Sequence, residues 1–177
     1  LDDKFWYISH FQNEHADDEL NADVERSLRI LSHGLGADSP PGTWMEQLSY
    51  PSSKGLLDVL PEPEVLPPWI SSEDFEYHVD QFKISGFRGP TNWYRNLRNL
   101  NSMTPQLEGK RFSQPAAFVA GTDDDVLLYD INWRDWFVEG FEDLRFLELV
   151  DGAAHWLQVE KPHETTALIL RFLEEVS

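Results

Sequence analysis

The 177-residue chain is 41% hydrophobic and 13% aromatic, has no cysteine, and carries a formal net charge of -18 from 14 Lys and Arg against 32 Asp and Glu. That is enough apolar material for one packed domain, and the missing cysteine excludes a disulfide scaffold, a thiolate metal site and a cysteine nucleophile. So acidic a surface repels phosphates and anionic headgroups, which excludes nucleic acid and membrane surfaces as expected partners. No apolar run approaches the ~20 residues that span a bilayer. Leu1 to Lys4 lacks the basic-then-apolar order of a secretion signal. The compartment stays open, with a slight balance toward the cytoplasm.

From Phe5 to about Leu100 the apolar residues recur at helical spacing, separated by Pro- and Gly-rich stretches. Asn21 is the expected N-cap of a helix with Val24, Leu28 and Leu31 on one stripe, and Gly34 its expected left-handed stop. From Ala37 to Pro68 seven prolines break any long element, and a loop of that length is expected to be functional or packed over something. Ser71 and Ser72 with Glu73 and Asp74 start a helix carrying Phe75, Val79 and Phe82. Gly86 and Gly89-Pro90 end it and start another containing Trp93, Tyr94 and Leu97.

After Pro105 the pattern changes. Ala116 to Ala120 and Leu144 to Val150 are short apolar runs bounded by Pro115, Gly121 and Asp151-Gly152, and both read as buried strands. Trp133, Trp136 and Phe137 between them have helical spacing. Pro162 opens a last helix with Leu168, Ile169, Phe172, Leu173 and Val176 on one face. Strand, helix, strand, helix implies an open parallel α/β sheet, of which two strands alone are too few.

Functional groups in such sheets sit just beyond the carboxyl ends of the strands. The two loops there are Gly121 to Val126, with Asp123, Asp124 and Asp125, and Gly152 to Trp156, with His155. A carboxylate that accepts an imidazole N–H fixes its tautomer and stabilises the imidazolium formed when it takes a proton from water. A solvated acidic turn and a satisfied loop histidine fit the same residues, and position alone does not choose between the two.

Longer segments do point to a family. Ser85-Gly86-Phe87-Arg88-Gly89-Pro90-Thr91-Asn92-Trp93-Tyr94-Arg95-Asn96 resembles the lid signature of the soluble epoxide hydrolases of the α/β-hydrolase fold. Gly152 to Pro162 resembles the histidine loop of that family, Phe118 to Val126 its acid loop, and Tyr7-Ile8-Ser9-His10-Phe11-Gln12 its first lid helix. The resemblance covers nearly the whole chain, in the expected order. It implies a helical lid over residues 1–102 and the C-terminal part of an α/β-hydrolase core over 103–177.

The resemblance makes Tyr7 and Tyr94 the lid phenols that grip the epoxide oxygen, His155 the base that activates water, and Asp124 the relay acid, with Asp123 and Asp125 competing for that role. Opening an epoxide expels an alkoxide, and a phenol of pKa ~10 can hydrogen-bond to or protonate it while staying neutral at rest. Trp156 is expected to line the pocket beside His155. Tyr7 lies among Phe5, Trp6, Ile8 and Phe11, where any one ring serves equally as core. His33-Gly34 superficially matches the His-Gly oxyanion motif of this fold but follows a helix, so it reads as a decoy. His163 is expected to face solvent, and His10 and His15 are too isolated to ligate a metal. No cofactor or metal is expected.

The family mechanism also needs a nucleophilic aspartate on a strand-to-helix turn and N–H donors from an earlier loop. No such elbow is found in the sequence, so an N-terminal α/β-hydrolase segment or second chain carrying the nucleophile is the expected partner, with a small apolar epoxide as substrate. Two alternatives are a haloalkane or haloacid dehalogenase, whose halide is held by N–H donors, and a noncatalytic binding protein of the same fold.

Overall fold

In a computed structural model describing residues 3–177, the regular elements between Tyr7 and Met103 are helical. Leu1 and Asp2, part of the start read above for a secretion signal, lie outside the described residues. The helices are α1 (Tyr7–His10), α2 (His15–Ala22), α3 (Val24–Gly34), α4 (Leu56–Val59), α5 (Ser72–Ser85), α6 (Arg88–Leu97) and α7 (Leu100–Met103). A 3-10 turn, Met45–Ser49, precedes α4.

Helix α3 buries Val24, Ser27 and Ile30, while Leu28 and Leu31 of the expected stripe are only half-buried against the same cluster, and its ends also differ from expectation. Its N-cap is Asp23, whose carboxylate accepts the Arg26 N–H at 3.0 Å. Asn21 lies inside α2, and its side-chain oxygen accepts the Phe87 N–H at 3.1 Å. Gly34 is the last helical residue and not a left-handed stop; the helix closes on Leu35 in the right-handed region. Gly34 itself is buried against Leu60 and Trp44.

Helix α5 starts as predicted, with the Ser71 hydroxyl accepting the Asp74 N–H at 3.0 Å, and ends at Gly86, whose φ of 66° relieves the helix of a Cβ penalty. The Ala37 to Pro68 stretch packs over the helices. Trp44, Leu56, Leu57, Val59 and Leu60 from it are buried in one cluster with Phe5, Phe11, Leu20, Ile30, Phe75, Val79 and Phe87.

Strands β1 (Phe112–Gly121) and β2 (Phe141–Val150) pair in parallel, with Ala117 opposite Phe146 and Gly121 opposite Val150. Both start earlier than their apolar runs, and of those runs only Ala120 and Val150 are buried, so the expected buried strands are half-exposed over most of their length. Helix α8 (Trp133–Gly140) connects them and covers one face, where the Phe118 and Phe137 rings pack tilted with centroids 4.0 Å apart. Past β2 come α9 (Leu157–Glu160) and α10 (Pro162–Val176). Helix α10 covers the opposite face, through Phe172 against Phe146 and the Arg171 guanidinium 3.7 Å over that ring. Little of this half is sealed: of its large apolar residues, Phe112, Trp136, Val138, Ile169, Leu170 and Leu173 are exposed.

Candidate active site

Where β1 ends against β2, the two following loops are bonded together. Thr122 N–H donates to the Val150 carbonyl at 3.0 Å, Asp123 N–H to the Ala153 carbonyl at 2.9 Å, and Gly152 N–H to the Thr122 hydroxyl at 3.0 Å. Gly121 makes this possible, because a Cβ there would stand 2.1 Å from the Ala153 oxygen.

These joined loops bring Asp124 and His155 together, Oδ2 to Nδ1 at 3.2 Å. The carboxylate is nearly buried, at 10% side-chain exposure, and the imidazole is 38% exposed, so the ring keeps an open side. A proton on Nδ1 directed at Asp124 leaves Nε2 as the free base. The three neighbouring aspartates have separate tasks. Asp123 is exposed and accepts from Thr122. Asp124 also accepts the Val126 N–H at 2.9 Å, which caps a 3-10 turn over Asp125–Tyr129. Asp125 is buried and accepts the Gly42 and Trp44 N–H groups at 2.8 and 2.9 Å, which fastens the long loop of the helical half to the sheet half.

The histidine loop is fixed from two other directions. His155 N–H donates to the Leu35 carbonyl at 3.2 Å, and the Trp156 indole N–H to the Ser32 carbonyl at 3.1 Å, both at the end of α3. The Glu160 carboxylate accepts the Ala154 N–H, and burial raises its pKa above the usual range.

Tyr7 and Tyr94 meet edge to face, ring centroids 5.5 Å apart. Tyr7 is held by its backbone N–H, which donates to the buried Gln47 side chain at 3.0 Å. The Gln12 amide donates both to Ile8 and to the Tyr94 carbonyl at 2.9 Å, tying α1 to α6. Burial, with the adjacent Tyr94 adding to it, pushes the Tyr7 phenol up to about 12, and burial also raises Tyr94, so both stay neutral donors. Helix α2 carries the support for this pair: Asp17 accepts the Thr91 hydroxyl at 2.6 Å and two Arg95 nitrogens, and Glu19 meets His10 at 2.7 Å.

A cavity of about 740 Å³ joins these groups, lined by Tyr7, Tyr94, His155 and Trp156 with Phe11, Leu31 and other apolar residues. Its character is that of a pocket for an apolar ligand with a few polar anchors. Of the remaining histidines, His78 on α5 is exposed at the edge of the same cavity and the others lie elsewhere. His33 pairs with Asp38, which also accepts the Trp69 indole N–H, and His163 is exposed. Among the described residues no group of three or more acidic or histidine side chains is arranged to hold a metal, and no helix is long and apolar enough to cross a membrane. Sequence reading passed over Tyr129, which packs against Tyr7, and the Asp17 to Arg95 pair; neither has a local motif to announce it.

No protein-family model matches the chain. It is similar to epoxide hydrolase A of Mycobacterium tuberculosis, 41% identical over 172 residues that cover 97% of this chain and 52% of that protein. It also resembles the bifunctional epoxide hydrolase 2 of Rattus norvegicus, 31% identical over 68% of this chain and 21% of the relative. Among solved structures, epoxide hydrolase A from Mycobacterium thermoresistibile superposes with a TM-score of 0.85 at 36% identity, over 99% of this chain and 54% of that one. Potato epoxide hydrolase I superposes at 0.77 and 27% identity, over 98% and 53%. The chain therefore spans about half the length of the first curated relative and of these solved structures, and about a fifth of the rat enzyme. With its parallel strands, covering helices and aligned sequence, it belongs to the epoxide hydrolase family of the α/β-hydrolase fold.

Proposed function

We propose that this chain provides the lid, over residues 1–102, and the relay, over 103–177, of an enzyme that opens a small apolar epoxide to a vicinal diol through an alkyl-enzyme ester. The observation that carries the reading is the convergence on one cavity of a carboxylate-held imidazole and two neutral, half-buried or buried phenols. In this scheme an aspartate from a further segment or chain attacks an epoxide carbon. The C–O bond breaks, and the oxygen takes a hydrogen bond and then a proton from Tyr7 or Tyr94. His155 Nε2 next removes a proton from water, which attacks the ester carbonyl, while Asp124 stabilises the imidazolium. Release of the diol restores the aspartate, and the proton on His155 returns to the tyrosinate.

A dehalogenase would place N–H donors at the leaving group, and the paired phenols favour the epoxide instead. The exposed apolar residues of α8, α10 and the sheet are suited to packing against the further segment. Intact mass and end sequencing of the denatured protein are expected to find that segment, with an aspartate on a strand-turn-helix. In protein containing it, Tyr94→Phe is expected to slow epoxide opening, and His155→Gln to trap the covalent ester. Unchanged turnover in both variants overturns the reading.

A further inference from the structure

Tyr129 ends the 3-10 turn that begins beside the relay acid, and its ring lies against the first lid phenol: 6.3 Å from Tyr7 with the planes 26° apart, and 4.9 Å from Trp6 edge to face. Its hydroxyl is sealed from solvent and has no hydrogen-bond partner among the described residues. The Trp44 indole N–H, whose ring is 5.2 Å from Tyr7, is in the same condition. Buried donors without acceptors are rare, because each forfeits its hydration without return. Both atoms are already enclosed by this chain, so an added segment cannot reach them unless the chain moves. Of the two phenols that can give up a proton in the proposed reaction, Tyr7 is the one whose ring contacts Tyr129.

We infer that Tyr129 is a positioning residue for Tyr7, whose hydroxyl closes a hydrogen bond to the Tyr7 oxygen as that phenol passes its proton to the opening epoxide. The inference rests on the catalytic reading above. In the resting state the Tyr7 and Tyr129 rings stack, but the Tyr129 hydroxyl makes no bond of ordinary geometry, and catalytic hydrogen bonds commonly tighten only once charge develops. The bond would form without transferring a proton: Tyr129 keeps its own, because burial raises its pKa far above the usual phenol range, and it acts only as a donor. The surrounding contacts hold the geometry. Asp125, at the head of the same turn, grips the Trp44 and Gly42 N–H groups, and Trp6 and Tyr7 confine the Tyr129 ring.

The test is single-turnover kinetics on the protein with its complementary portion, using a styrene-type epoxide and following ester formation and ester hydrolysis separately. Tyr129→Phe removes one oxygen and keeps the ring. It is expected to slow ester formation about 10- to 100-fold, the effect of one hydrogen bond to a developing negative charge, with ester hydrolysis by His155 unchanged. Thermal stability should hold or rise, since an unsatisfied hydroxyl is removed. In a Tyr7→Phe background the same substitution should have no further effect on ester formation, which a purely structural role would not produce. Equal ester-formation rates in Tyr129→Phe and the parent, or an equal loss in the Tyr7→Phe background, overturn the assignment and leave the catalytic reading standing. A parent protein that forms no ester overturns both.

Discussion

Replacing the α-hydrogen of Gly121 by a methyl group puts a carbon 2.1 Å from the Ala153 carbonyl oxygen, 2.3 Å from its carbon and 2.6 Å from the Ala154 oxygen. These are backbone atoms, so no side chain can rotate away, and the histidine loop itself has to shift. Gly121→Ala is therefore expected to destabilise by about 3 kcal/mol or more and to separate His155 from Asp124, seen as a lower Tm and lost turnover. Gly140 is the control, because at the end of α8 an added Cβ meets nothing within 4 Å. Gly140→Ala should stabilise by about 0.5 to 1 kcal/mol through the unfolded chain. A Gly121→Ala protein as stable as the parent would show that the joined loops do not fix the relay. The aspartate run has the same dependence on a single position. Three identical side chains in sequence give no means of choosing among them, and the fold chooses by direction: Asp124 to the imidazole, Asp125 to the Gly42 and Trp44 backbone, Asp123 to solvent.

Helix α2 is the element that sets both phenols, although neither phenol lies on it. Glu19 binds His10 on α1 and the Leu57 N–H on α4, while Asp17 binds Thr91 and Arg95 on α6, the helix of Tyr94. Burial by itself would raise the Asp17 carboxyl, yet hydrogen bonds from Arg95 and Thr91 outweigh it and hold the group below its ordinary value. A carboxyl depressed in the folded state contributes stability above its unfolded pKa of about 3.9 and loses it as pH falls through the folded value. Asp17→Asn is accordingly expected to cost about 2 to 4 kcal/mol at pH 7, from a charge pair mostly removed from water, and the gap from the parent should close below about pH 4. A gap independent of pH would refute the role of the charge. This helix was invisible in the sequence for a physical reason: His15–Ala22 has only Ala16 and Leu20 on its buried apolar stripe, too few to mark a period, and its remaining key residue is a buried aspartate. Overlooking it moved the cap of α3 from Asp23 to Asn21. By contrast α5, with Ser71 and Asp74 at its start and Gly86 at its end, had every local signal in agreement and was readable in full.

The two halves of the molecule differ in how far each completes its own burial. The helical half encloses a continuous cluster from Phe5 to Phe87, whereas in the sheet half only Ala120, Val150, Ala153 and Ala154 are buried apolar residues, all at the strand ends where the loops meet the helices. Apolar runs bounded by Pro and Gly made the strands legible, and their parallel pairing followed from the intervening helix; the strand starts at Phe112 and Phe141 were not legible because Ser113-Gln114 and Glu142-Asp143 separate each from its apolar run. Trp136 at 66% exposure, Val138 at 59%, Ile169 at 53% and Leu173 at 51% lie on both covering helices, and a two-stranded sheet cannot hide them. Patches of that kind bind apolar dyes and attract partners. The 177-residue chain by itself is therefore expected to enhance the fluorescence of anilinonaphthalene sulfonate, and its β1 and β2 amides should exchange with solvent much faster than those of α3 and α5. Adding the proposed complementary portion should quench the dye signal and slow exchange in the strands, while α3 and α5 change little because their core is already closed. A dye-negative chain with strand amides as protected as the helices would mean that these faces close without a partner, and the proposed division of the site between two portions would then fail.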